Sequence, residues 1–185
     1  MSLTLSDLET IVRNLINDNS TTGTDLFTYG STAVFTLTES NAIAITSVSK
    51  NDIESGVTYT YDATTNKVTV TSSLVAGDTI EVIYTYYPNY SSTEIEGYIK
   101  AAIVHLSINR YYDWEIEDDT IYPEPEVNEK NLIAMVTAIL MKPDNISYRL
   151  PDITINAPKD LPTVDKINKT IAIFKRTGNV IFFIG

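Results

Sequence analysis

The chain contains no cysteine, which excludes a disulfide, a thiolate metal site and a thiol nucleophile. It has a single histidine, His105, and neither a histidine-based metal site nor a Ser-His relay can be assembled without further partners of definite type. Seven glycines in 185 residues supply neither a G-x-x-x-x-G-K-[ST] phosphate loop nor a G-x-S-x-G nucleophile elbow. Basic residues are scarce: 13 Lys and Arg stand against 24 Asp and Glu, for a net charge of −11. Such a surface repels phosphate, which argues against tight nucleic-acid binding. No apolar run reaches the roughly 20 residues of a membrane-spanning helix. Met1-Ser2-Leu3-Thr4-Leu5 lacks the basic and apolar regions of a signal peptide. The expectation is a protein made and used in the cytoplasm, or packaged into something assembled there, with no membrane contact.

What the chain does have is apolar residues, 43% of the total, enough for a packed core. Its length favours one domain, or one domain with an inserted module. Charge is uneven: residues 1–127 hold 19 acids and 5 bases, residues 128–185 hold 5 acids and 8 bases. Solubility accounts for the acidic excess in the ordinary way. A sharper reading is a surface past which DNA slides without sticking.

Helical periodicity opens the chain. Ser6-Asp7-Leu8-Glu9 has the form of a capping box, and Leu8, Ile11, Val12, Leu15 and Ile16 repeat on one face, predicting a helix over 7–17. From 24 to 88 the texture changes to alternating β-branched and aromatic residues. Six strands are predicted at 26–29, 33–38, 42–50, 57–61, 67–71 and 79–87, forming a small sandwich or barrel. Asp62-Ala63-Thr64-Thr65-Asn66 is a hairpin loop. After Pro88 comes the segment around which the molecule is expected to be organised, a long helix over 92–114. Overlapping boxes Ser91-x-x-Glu94 and Thr93-x-x-Glu96 introduce it, and Ile95, Ile99, Ala102, Ile103 and Leu106 share one face.

Residues 115–127 are acidic without a base, and Pro123 and Pro125 forbid helix there, so an extended connection is expected. A third helix, capped by Asn128 and running to Met141, is apolar on most sides and therefore buried. A fourth, over 163–176, buries Ile167, Ile171 and Phe174. The fold class expected is α+β: a small helical bundle built around one long helix, with an inserted all-β module and an extended C-terminal arm. Residues 1–23 and 89–185 would form the helical core with its arm, and 24–88 the β-module.

This order of elements resembles the head–tail adaptor (connector, head-completion) proteins of tailed bacteriophages. The residues that carry the resemblance are Leu8-Glu9-Thr10-Ile11-Val12-Arg13 in the first helix, and Tyr59-Thr60-Tyr61-Asp62 with Gly77-Asp78-Thr79-Ile80-Glu81-Val82-Ile83-Tyr84-Thr85-Tyr86 in the β-module. Tyr90-Ser91-Ser92-Thr93-Glu94-Ile95 opens the long helix, with Ala101-Ala102 in its middle. The resemblance covers about residues 5–142. It implies a structural virion protein of the neck, assembled in the host cytoplasm: a ring of about twelve copies docked under the portal, meeting the next neck or tail-completion protein on its other side. DNA would pass through the lumen without specific binding. The simplest adaptors are nearly all helix, and the β-module departs from them. The alternative is a protein- or glycan-binding β-module protein of a phage tail or baseplate.

Two sets of residues are candidates for function. Glu115, Glu117, Asp118 and Asp119 would line the DNA channel. Val180, Ile181, Phe182, Phe183 and Ile184, five apolar residues of strand propensity past a helix stop at Gly178, would form an assembly arm that adds as a strand to a neighbouring subunit or the portal. The acidic run lacks the order and central glycine of an EF-hand. His105 is expected to pack on its helix, and no two carboxylates stand out as a glycosidase pair. Twelve tyrosines, six of them between Tyr59 and Tyr90, fit cross-strand pairing or an exposed aromatic binding face. No catalytic motif is present, so no enzyme, cofactor or metal is expected.

Overall fold

The computed structural model describes residues 3–108, 113–151 and 153–176. In chain order the elements are α1 (Leu5–Ile16), β1 (Thr21–Thr28), β2 (Val34–Thr36), β3 (Ala42–Lys50), β4 (Tyr59–Asp62), β5 (Lys67–Val70), β6 (Thr79–Tyr86), α2 (Ser92–Ile108), β7 (Glu115–Glu117), β8 (Thr120–Tyr122), α3 (Val127–Met141), β9 (Ser147–Arg149), β10 (Thr154–Asn156) and α4 (Thr163–Arg176). The chain divides into two compact units, one of residues 19–91 and one of the residues on either side.

In the helical unit the first turn of α1 is closed by Thr4, two residues before the Ser6 that the sequence pattern indicates. The Asp7 N–H donates to Thr4 Oγ1 (3.2 Å), and the Thr4 N–H donates back to Asp7 Oδ2 (3.0 Å). Asn17 ends the helix in the left-handed conformation (φ 56°). At α3 the N-cap is Glu126, not Asn128, and its N–H donates to the Glu129 carboxylate at 2.8 Å. Every residue from 132 to 139 is buried, including Thr137, whose hydroxyl donates to the Ile133 carbonyl at 2.8 Å. That burial is what an all-round apolar helix requires. It is met because α1, α2 and α4 all pack against α3. Lys142, just past α3, reaches the Ile16 carbonyl at 2.6 Å and ties the end of α3 to the end of α1.

The other unit is all β. Two three-stranded antiparallel sheets, β1-β6-β3 and β2-β5-β4, share a core of Phe35, Leu37, Val48, Val68, Val70, Ile80, Val82 and Tyr84. Alternation along β6 sends Ile80, Val82 and Tyr84 inward. Phe27 and Phe35 stack between the sheets with ring centroids 5.0 Å apart. β1 begins five residues before the predicted strand.

The expected fold class is corrected here. The described residues contain four helices of 12 to 17 residues and ten strands in small antiparallel sheets, not a bundle built on one long helix. The predicted 92–114 helix is described as helical only to Ile108, and Asp113 and Trp114 are not helical. At 17 residues it spans about 26 Å and barely exceeds α3. The central position belongs to α3, since α2 buries one face while α3 is covered nearly all round. The helical unit also holds two β-hairpins that periodicity does not disclose. The proposed C-terminal arm lies outside the described residues.

Candidate functional site

The acidic stretch after α2 is a β-hairpin, not an extended connection. Glu115 pairs with Tyr122, Ile116 with Ile121 and Glu117 with Thr120. Asp118 and Asp119 form the two-residue turn, both at positive φ (45° and 61°). Two successive left-handed residues make a turn whose twist matches that of the strands, and Asp tolerates this conformation better than most residues. The tip is pinned to the start of α1: the Leu5 N–H donates to the Asp119 carbonyl (2.9 Å) and the Ile121 N–H to the Leu3 carbonyl (3.1 Å). Residues 3–5 thereby extend the hairpin along β8, with Thr4 bridging Thr120.

Side-chain directions follow from this pairing. Ile121 is fully buried and Ile116 half-buried, whereas Glu115, Glu117, Asp118 and Asp119 are all exposed. The four candidate carboxylates therefore come together on one projecting hairpin, two on the same face of β7 and two at its tip. Among the described residues none of the four is in a salt bridge, and no three acidic or histidine side chains are arranged to hold a metal ion. The hairpin presents dense negative charge on a backbone anchored at its turn and along β8.

His105 is half-buried on α2. Val180, Ile181, Phe182, Phe183 and Ile184 lie outside the described residues. Four tyrosines turn inward in the β unit: Tyr84 is buried, and Tyr29, Tyr61 and Tyr86 pack against the β core. Tyr61 donates to the Ala42 carbonyl at 3.1 Å. These four form no exposed aromatic face.

Sequence reasoning missed a set of buried charges in the helical unit. Arg13, 4% exposed, pairs with the fully buried Asp18 and with Glu9 at 2.7 Å. Lys166, 1% exposed, donates to the carbonyls of Pro143 and Lys159, clamping the proline-rich segment onto α4. Arg13 sits next to Val12 on the apolar side of α1, and this proximity was the available signal. Lys166 offered none, because its partners are main-chain oxygens that no sequence pattern marks.

No protein-family model matches this chain, and no curated protein matches it.

Proposed function

We propose that this chain is a structural virion protein, a head–tail adaptor that forms a ring on the portal of a tailed bacteriophage and continues the DNA channel towards the tail. The observation that carries the reading is the β7–β8 hairpin. It displays Glu115, Glu117, Asp118 and Asp119 without a compensating base and is fixed to the first turn of α1. Repeated around a ring, such a hairpin gives a lumen wall that repels the phosphate backbone, so the duplex passes without being held. The order of elements supports the same reading, with a short helix, a β unit, a second helix and then a buried third one. The reading implies no catalytic step and no cofactor.

A second reading, a protein- or glycan-binding β-module of a tail or baseplate, draws on the outer face of the β1-β6-β3 sheet. Thr22, Thr24, Ser47 and Thr85 place hydroxyl groups there beside Leu26 and Ile83.

Electron microscopy and light scattering of the purified protein, alone and with portal, test the proposal. Rings on the portal are expected. A protein that stays monomeric at high concentration with portal present overturns it.

A further inference from the structure

Strand β1 is an open edge. It pairs with β6 on one side only. Tyr29 N–H donates to the Asp78 carbonyl at 2.8 Å, and the β1–β6 register carried back from that pair directs the main chains of Phe27, Asp25 and Gly23 towards β6. The main-chain groups of Thr22, Thr24, Leu26 and Thr28 therefore point away from the sheet, and all four residues are exposed, Leu26 at 71%.

The other edges among the described residues are blunted in the usual ways. β3 has two register shifts, β2 and β4 are three and four residues long, and β7 is three residues carrying two glutamates. β1 runs eight residues in unbroken register with no proline and no lysine. Its one charge, Asp25, is turned inward, where its carboxylate accepts from the Thr38 N–H (2.7 Å) and the Tyr84 hydroxyl (3.2 Å). A long edge in unbroken register, with its one charge turned inward, is a template for one more strand.

We propose that this edge receives the segment Val180–Ile184 of a neighbouring copy as an added strand, a proposal that rests on the assembly reading above. Three observations select this occupant. The segment is five β-branched or aromatic residues, and 177–185 contain no charge and no proline. Five residues in extended form span about 16 Å, which fits within the roughly 20 Å between Thr22 and Thr28. Charge is complementary as well: Lys169, Lys175 and Arg176 precede the segment, and residues 19–91 hold seven acids and two bases. The edges within the helical unit are three residues long and suit it less.

The test uses the full-length chain carrying Ile181→Asp and Phe183→Asp, which disables its own segment, and a synthetic peptide of residues 175–185 as probe. The peptide is expected to bind. Methylating the main-chain nitrogens of Ile181 and Phe183, or instead those of Phe182 and Ile184, should weaken binding by about tenfold or more for one pair and little for the other. Only alternate N–H groups of an added strand face the edge. Leu26→Pro, which removes an outward N–H, should abolish binding. Leu26→Lys, which keeps the main chain, should weaken it if the proline variant fails to fold. Equal affinity of both methylated peptides, or binding unaffected by either change at Leu26, overturns the proposal. Self-association of the tail-disabled chain that depends on Leu26 also overturns it, because β1 would then pair with β1 of a second copy. So does a wild-type monomer with protected β1 amides, which would mean pairing within one chain. None of these measurements uses portal, so ring formation on portal by the Leu26 variants separates failure here from failure of the adaptor reading.

Discussion

Gly23 and Tyr84 stand opposite each other across the β1–β6 pair, and the Tyr84 ring fills the space that a side chain at position 23 would take. A Cβ placed on Gly23 would lie 2.8 Å from Tyr84 Cζ, closer than packed carbons approach. The ring lies over β1 with its hydroxyl donating to Asp25 Oδ2 at 3.2 Å and accepting from the Glu39 N–H at 3.3 Å. Glycine here is a packing requirement. Gly23→Ala should destabilise the β unit by about 1–3 kcal/mol, read as a lower urea midpoint. The same change in a Tyr84→Val background should cost clearly less, because the two sites share one volume. Equal costs in both backgrounds would show that the ring is not what excludes a side chain at 23.

The acidic hairpin separates charge from shape. Glu115→Gln, Glu117→Gln, Asp118→Asn and Asp119→Gly together remove four charges. The resulting Asn-Gly pair is the preferred occupant of a two-residue turn with both residues at positive φ. The fold should survive, and affinity for duplex DNA should rise several-fold at low salt with a steeper salt dependence. Fluorescence anisotropy at low and high salt checks this. Unchanged binding at both would make these acids ordinary surface. Asp118→Val keeps three of the charges but places a β-branched residue at φ 45°. It should cost about 1–2 kcal/mol of stability.

Arg13 and Asp18 tie the end of α1 from inside the protein. Asp18→Ala removes the buried carboxylate that pairs with the Arg13 guanidinium, and should cost about 3 kcal/mol. Replacing both partners with Arg13→Met and Asp18→Leu should recover most of that loss. Lys166→Met leaves the carbonyls of Pro143 and Lys159 without this donor and should cost about 1–3 kcal/mol. Thermal unfolding of the three variants tests the set. A double variant as unstable as Asp18→Ala would mean that the pair contributes more than mutual neutralisation.

Tyr84 and Tyr148 give the protein an alkaline limit. Burial pushes both phenols from the usual 10 up to about 12, with Asp25 and Asp144 adding to the shift. A folded-state pKa raised above the unfolded value means that the folded protein holds the proton more tightly. Their contribution is therefore complete below pH 10 and is lost as pH rises from 10 towards 12. At the acid end the sign reverses. Asp7, held below 3.8 by the Thr4 N–H and hydroxyl, contributes stability above that pH and loses it as pH falls further. Spectrophotometric titration should show Tyr84 and Tyr148 ionising late and together with unfolding, with Tyr61, which burial also raises, lagging the exposed phenols. Tyr84→Phe should remove one of the two late ionisations. Twelve tyrosines titrating normally in a folded protein would refute the claim.

Much of the helical unit was legible because each helix writes its own burial into local spacing. Ile95, Ile99, Ala102, Ile103 and Leu106 of α2 are buried, as their spacing predicts. The all-round apolar character of α3 foretold its burial, though not that it, rather than α2, would hold the centre. That depends on which helices surround it, and periodicity within one helix carries no such information.

The clustering of Glu115, Glu117, Asp118 and Asp119 was also plain in the sequence. Their display on a hairpin was not. The turn needs two consecutive left-handed residues, and the turn and β8 are held by main-chain bonds to residues more than 100 positions earlier. The first half of β1 was hidden for the same reason. Thr21, Thr22, Gly23, Thr24 and Asp25 have the composition of a loop, and they become strand because β6, about 60 residues on, supplies the ladder and the Tyr84 ring. Local composition determined which segments bury a face. Long-range main-chain pairing, whose energy resides in groups common to every residue, decided where the edges lie, and only the folded chain reveals it.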